Sequence, residues 1–88
     1  MRTEPTPAEE AAAKLVAANV RAEMERQRLS QQALADKLGW TQPYVSRRLN
    51  PKNKPNGQVF FTAGELVAVA RVLGVPVARL LPESEAAR

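Results

Sequence analysis

Residues 31–50 read QQALADKLGWTQPYVSRRLN. In the first half Leu34, Ala35 and Leu38 share one face at helical spacing, and in the second Val45 and Leu49 lie one turn apart. Each half therefore reads as a short helix whose apolar stripe needs a core to cover it. Gly39 stands where the first helix must end in a left-handed residue, and Thr41 where the second must be capped. Ala35 falls where two such helices cross closely, so a side chain larger than a methyl would force them apart. The segment is a pair of helices joined by a tight turn, a helix-turn-helix unit.

The rest of the chain sets limits on what this unit can do. A chain of 88 residues leaves no room for a second domain and is near the lower limit for burying a useful core unaided. Cys and His are both absent, which removes disulfides, thiolate nucleophiles, histidine bases and the common zinc sites together. No catalytic residue, metal ligand or cofactor site is read, and the expectation is a binding protein rather than an enzyme. No apolar run approaches the roughly 20 residues needed to cross a bilayer, and no signal pattern opens the chain. The expected location is the cytoplasm, with no membrane partner.

Net charge is +4, and it is unevenly placed. From Lys37 to Gly64 there are five basic residues (Lys37, Arg47, Arg48, Lys52, Lys54) and no acidic one, whereas the remainder holds eight basic and nine acidic residues. Charge alone leaves two readings open, a solvated basic face or a surface for a polyanion. The coincidence of the basic segment with the second helix of the pair and the loop after it favours the polyanion.

Upstream, residues 1–6 form an N-terminal tail ending at Thr6. That residue is placed to cap a helix, with Pro7 at its first position and Glu9 completing a capping box. Helix 1 is expected to run to about Arg28, with Ala13, Val16, Ala17, Val20 and Met24 inward and Arg21 paired outward with Glu25. Leu29 turns to the core and Ser30 caps helix 2. Gln31 and Gln32 then stand at a free helix N-terminus, where unpaired N–H groups and the positive end of the dipole suit a phosphate.

Helix 3, Gln42 to Leu49, presents Gln42, Pro43, Tyr44, Ser46, Arg47 and Arg48 on its outward side. A solvated helix more often carries acids paired with Lys or Arg, and this one has no acid. Gln bonds adenine edges, Arg bonds guanine edges and an aromatic ring contacts a thymine methyl, so Gln42, Pro43, Tyr44 and Arg47 are the candidate base readers. Thr41, Ser46 and Arg48, with Gln31 and Gln32, are candidate phosphate contacts. Trp40 reads as core packing. The loop PKNKPNG, residues 51–57, adds Lys52, Asn53 and Lys54 as phosphate contacts.

Gln58 to Phe61 reads as a brief extended segment, with Phe60 either filling the core, the favoured placement, or sitting in a subunit interface. Thr62 and Glu65 form a second capping box, and Phe61 with Leu66 a hydrophobic staple. Helix 4 spans Ala63 to Leu73 and ends at Gly74. Pro76 opens a short helix 5 with Val77, Leu80 and Leu81 apolar, and Pro82 ends it before a tail at 83–88. Helix 5 either closes the monomer core or pairs with a second copy as a homodimer.

The pattern L-S-Q-Q-x-L-A-x-K-L-G-x-T-Q from Leu29 to Gln42, followed by Val45, Ser46 and Arg47 and later by Gly74-Val75, resembles the phage-repressor and Cro family of helix-turn-helix domains, also called XRE-like. The resemblance covers about Val16 to Leu81. It implies an all-α, five-helix lambda-repressor-like domain over residues 7–82, with the helix-turn-helix at helices 2 and 3. It further implies that helix 3 enters the major groove of double-stranded DNA, commonly as a dimer on a pseudo-palindromic operator. Gln31 would clamp a phosphate beside Gln42, while Gln42, Tyr44 and Arg47 reach bases. The sequence departs from the family's pattern at Arg48, where an apolar or aromatic residue is commoner, and in its longer, more basic loop.

The function so implied is transcriptional repression by operator occupancy, as in a temperate phage immunity or Cro-like regulator. Length leaves no room for an appended sensing domain. Two alternatives stand beside it: the antitoxin of a toxin-antitoxin pair, and a protein-binding adaptor without sequence-specific DNA binding.

Overall fold

The computed structural model describes residues 6–50 and 60–82. Among these residues the chain is all-helical, with α1 at Pro7–Arg26, α2 at Gln31–Leu38, α3 at Gln42–Leu49 and α4 at Ala63–Leu73, closed by a 3-10 turn at Val77–Leu80. The expected fifth helix is thus a single 3-10 turn. Pro76 sets its start without a side-chain cap, and Leu81 is already extended, so only four residues lie between them. Expectations for residues 1–5, 51–59 and 83–88 fall outside the described residues, and these include the phosphate contacts at Lys52, Asn53 and Lys54.

Each α-helix starts on a hydroxyl cap. Thr6 and Thr62 form full capping boxes with Glu9 and Glu65, while Ser30 Oγ accepts from the Ala33 N–H at 3.0 Å and Thr41 Oγ1 from the Tyr44 N–H at 3.3 Å. Three helices end on one pattern. The N–H of Leu29, Trp40 and Val75 donates back to the carbonyl of Met24, Ala35 and Ala70, at 2.8, 2.9 and 3.0 Å. The residue before each takes positive φ: Gly39 at 75°, Gly74 at 72° and Arg28 at 56°. The left-handed residue at Arg28 ends α1 two residues earlier than its periodicity suggests, and nothing in its residue type announced this. Leu29, Trp40 and Val75, the residues that follow, all pack against the core.

That core gathers Val20 and Met24 of α1, Leu34 and Ala35 of α2, Val45 and Leu49 of α3, Leu66, Val69, Ala70 and Leu73 of α4, and Leu80. α2 packs on α3 and on α4, and α1 packs on α3 and on the 3-10 turn. Ala35 is fully buried. Of the apolar residues of the expected helix 5, left open between the monomer core and a second copy, Leu80 is buried and Leu81 stands exposed, as does Leu15 of α1. Phe60 is half-buried and lines a small, mostly apolar pocket with Ala13, Val16, Arg48, Phe61 and Leu66.

Arg21 does not pair with Glu25. It reaches from α1 to the carbonyl of Leu49, the last residue of α3, a charge-assisted cap at the negative end of that helix. Asn50 caps the same end by donating through Nδ2 to the Ser46 carbonyl at 3.0 Å. Both ends of α3 are therefore fixed.

Candidate nucleic-acid interface

α3 has three sides. Val45 and Leu49 are fully buried, Pro43 and Arg47 are exposed, and Tyr44 and Arg48 lie half-buried against the start of α4. Successive residues turn by 100°, so Arg47 stands directly opposite the midpoint of the Val45–Leu49 stripe. It makes no hydrogen bond or ion pair among the described residues. Among those residues nothing holds its charge back from a ligand.

At the N-terminal end of α3, Gln42 donates through Nε2 to Gln31 Oε1 at 2.7 Å. This bond ties the first residue of α3 to the first residue of α2, and it brings two helix N-termini with their unpaired N–H groups to one place. Thr41 is exposed beside them and Ser46 half-buried one turn along α3. Gln32 is exposed and donates to Asp36 Oδ1 at 2.9 Å. Such a surface bond at i, i+4 stabilises by only about 0.2–0.5 kcal/mol, too little to withhold the amide from a phosphate.

Tyr44 and Arg48 are placed differently. The Tyr44 hydroxyl donates to Glu65 Oε2, Arg48 Nε donates to Glu65 Oε1 at 3.0 Å, and Arg48 Nη1 donates to the Tyr44 carbonyl at 3.3 Å. The Arg48 guanidinium carbon lies 3.5 Å from the Tyr44 ring centroid, and the Trp40 ring lies 5.0 Å away on a 57° tilt. The side chains of Arg48 and Glu65 are 11% and 15% exposed. Pulling a charge out of a pair this enclosed costs about 3–5 kcal/mol, whereas a charge-assisted hydrogen bond returns roughly 1.5–3 kcal/mol. The pair with Glu65 therefore competes against a phosphate contact by Arg48, and the same carboxylate engages the Tyr44 hydroxyl.

Glu65 is the residue that the sequence did not reveal as part of this surface. Burial pushes its carboxyl up, but hydrogen bonds from Tyr44, the Thr62 N–H and Arg48, together with the Arg48 charge, hold it below the ordinary carboxylate range. The same bond raises the Tyr44 phenol, with burial adding to the rise. Glu65 was legible as the capping box of α4. Its reach to α3 depends on how α3 and α4 cross.

The surface so built is a helix-turn-helix unit on an all-helical body, with one open edge on its second helix. A family model described as a helix-turn-helix domain matches residues 15–81, and the chain belongs to that family. No curated protein sequence matches the chain. Among solved structures, the DNA-binding domain of BldD is 30% identical with a TM-score of 0.65, covering 82% of this chain and 96% of that one. FeII HppE in complex with substrate is 28% identical with a TM-score of 0.65 over 81% of this chain, and FeII HppE 28% with 0.64 over 81%. The matched region spans only 38% and 34% of those HppE chains. Among the described residues no helix is long and apolar enough to cross a membrane.

Proposed function

We propose that this chain is a sequence-specific double-stranded DNA-binding transcriptional regulator, without catalytic activity or cofactor, that represses by occupying an operator in the cytoplasm. The observation that carries the reading is the exposed Pro43–Arg47 edge of α3, set beside the Gln31–Gln42 bond that joins two helix N-termini. An eight-residue helix is about 12 Å long, short enough for one side to follow the floor of a major groove. The likeness to the DNA-binding domain of BldD over nearly the whole of that domain supports the same conclusion.

In this reading Arg47 bonds a guanine edge, Gln42 an adenine edge, and Pro43 packs on a thymine methyl. Gln31, Gln32, Thr41 and Ser46 contact phosphates, aided by the helix N-termini, and Lys52, Asn53 and Lys54 extend those contacts along the backbone. In this reading Tyr44 and Arg48 leave the contact set: Glu65 holds the Arg48 charge and the Tyr44 hydroxyl, and the Arg48 guanidinium and Trp40 lie against the Tyr44 ring. A lambda-repressor-like arrangement over residues 7–82, pairing of two copies through the C-terminal turn where Leu81 stands exposed, and phage or prophage genes as targets complete the proposal.

Selection from a random duplex pool tests it. An inverted repeat with half-sites about 34–36 Å apart, one helical turn, is the expected product. Recovery of no preferred duplex at moderate salt would sink the repressor reading and leave a protein-binding adaptor.

A further inference from the structure

On the DNA-binding reading above, Glu65 has a task that its place outside the helix-turn-helix conceals. Three bonds converge on its carboxylate from two directions: the Thr62 N–H from its own helix at 2.9 Å, and Arg48 Nε and the Tyr44 hydroxyl from α3. The carboxylate that caps α4 thus also grips one side of α3. Arg21 from α1 holds the far end of α3 at the Leu49 carbonyl, and Gln31 holds the near end at Gln42. Of these fastenings, the one at Glu65 alone neutralises a cation of the helix itself. Arg47 and Arg48 are adjacent in sequence, yet Arg47 is exposed and unpaired among the described residues while Arg48 is enclosed.

We propose that Glu65 is a positioning residue of the DNA-reading surface: by holding Tyr44 and Arg48 against α4 it confines contact to the Pro43–Arg47 edge and withholds the Arg48 charge from the DNA backbone. A second free arginine beside Arg47 would strengthen binding to every sequence alike, since phosphate contacts carry no sequence information. Withholding it lowers affinity for arbitrary DNA and leaves discrimination to the side chains that touch bases. Glu65 thus sets specificity without meeting the DNA.

The substitution Glu65→Gln separates this task from capping, because Gln serves equally in a capping box but cannot neutralise Arg48. The salt dependence of binding to a mixed-sequence duplex is the readout, and a role confined to packing would not move it. For Glu65→Gln the slope of log K against log salt should steepen by about 0.9, so that raising salt from 50 to 200 mM weakens binding by about 3-fold more than in the parent protein. Preference for a selected duplex over the mixed one should fall in parallel. The double variant Glu65→Gln with Arg48→Gln, which has no charge to release, should return to the parent slope. If Glu65→Gln folds, as judged by its helical circular dichroism, and keeps the parent slope, the proposal is overturned. If it does not fold, the double variant decides: a parent-like slope upholds the proposal, and a slope shallower by about 0.9 overturns it by showing that Arg48 already touches phosphate. A parent protein that binds neither duplex refutes DNA binding itself, a failure distinct from these.

Discussion

Replacing Arg28 with Gly tests how α1 is brought to an end. Arg28 has a φ of 56°, the left-handed conformation that Gly39 and Gly74 adopt at the same point of the same C-terminal pattern. A residue with a Cβ gives up about 1–2 kcal/mol there, which glycine does not. The unfolded chain gains freedom with glycine, which offsets about 0.4–1 kcal/mol. Arg28 is exposed and makes no side-chain hydrogen bond or ion pair among the described residues, so little else is lost. The net expectation is a stabilisation of about 0.5–1 kcal/mol from these two effects. In a domain of this size that raises the thermal midpoint by about 2–8 °C, on the usual scaling of about 4–8 °C per kcal/mol. Thermal unfolding followed by circular dichroism measures it directly. An unchanged or lowered midpoint would refute the reasoning, because it would mean that Arg28 is not left-handed or that its side chain holds something. DNA binding should be untouched, since Arg28 is outside the proposed contact set.

Arg47→Ala should cost about 1–3 kcal/mol in binding and relax preference at one operator position; an unchanged binding-site profile removes Arg47 from the readers. Ala35→Leu should destabilise by about 1–3 kcal/mol through overpacking where α2 meets its neighbours, and a urea midpoint equal to that of the parent would show that the crossing has room. Glu23 is held below the ordinary carboxylate range, chiefly by its hydrogen bond from Arg26, and Glu65 is depressed as well. Their contribution to stability is therefore present above the unfolded carboxylate value of about 4.3 and is lost as pH falls through the lower folded values. Tyr44 behaves oppositely: its raised folded value gives a contribution present below about pH 10 and lost as pH rises beyond it. Urea midpoints across pH should trace both limbs, and a flat acid limb would contradict the two carboxylate placements.

The helices and their caps were legible because their causes are local. A hydroxyl at Thr6, Ser30, Thr41 and Thr62 satisfies an N–H three residues on, and Gly39 and Gly74 supply the left-handed step; these interactions close within one turn of chain. The apolar spacing of Leu34, Ala35, Val45 and Leu49 likewise marked which sides turn inward. The end of α1 was not legible, since Arg28 is left-handed without being Gly or Asn. Nor did charge pattern reveal that Arg47 and Arg48 have opposite fates. Arg48 meets a carboxylate 17 residues away, Tyr44 meets the same one 21 away, and Arg21 meets the Leu49 carbonyl 28 away. Sequence by itself determined where the chain turns helical and which stripe of each helix seeks the core. Tertiary structure decided which cations remain free to meet a ligand, because that depends on how helices distant in the chain cross, and no spacing within one helix encodes the crossing.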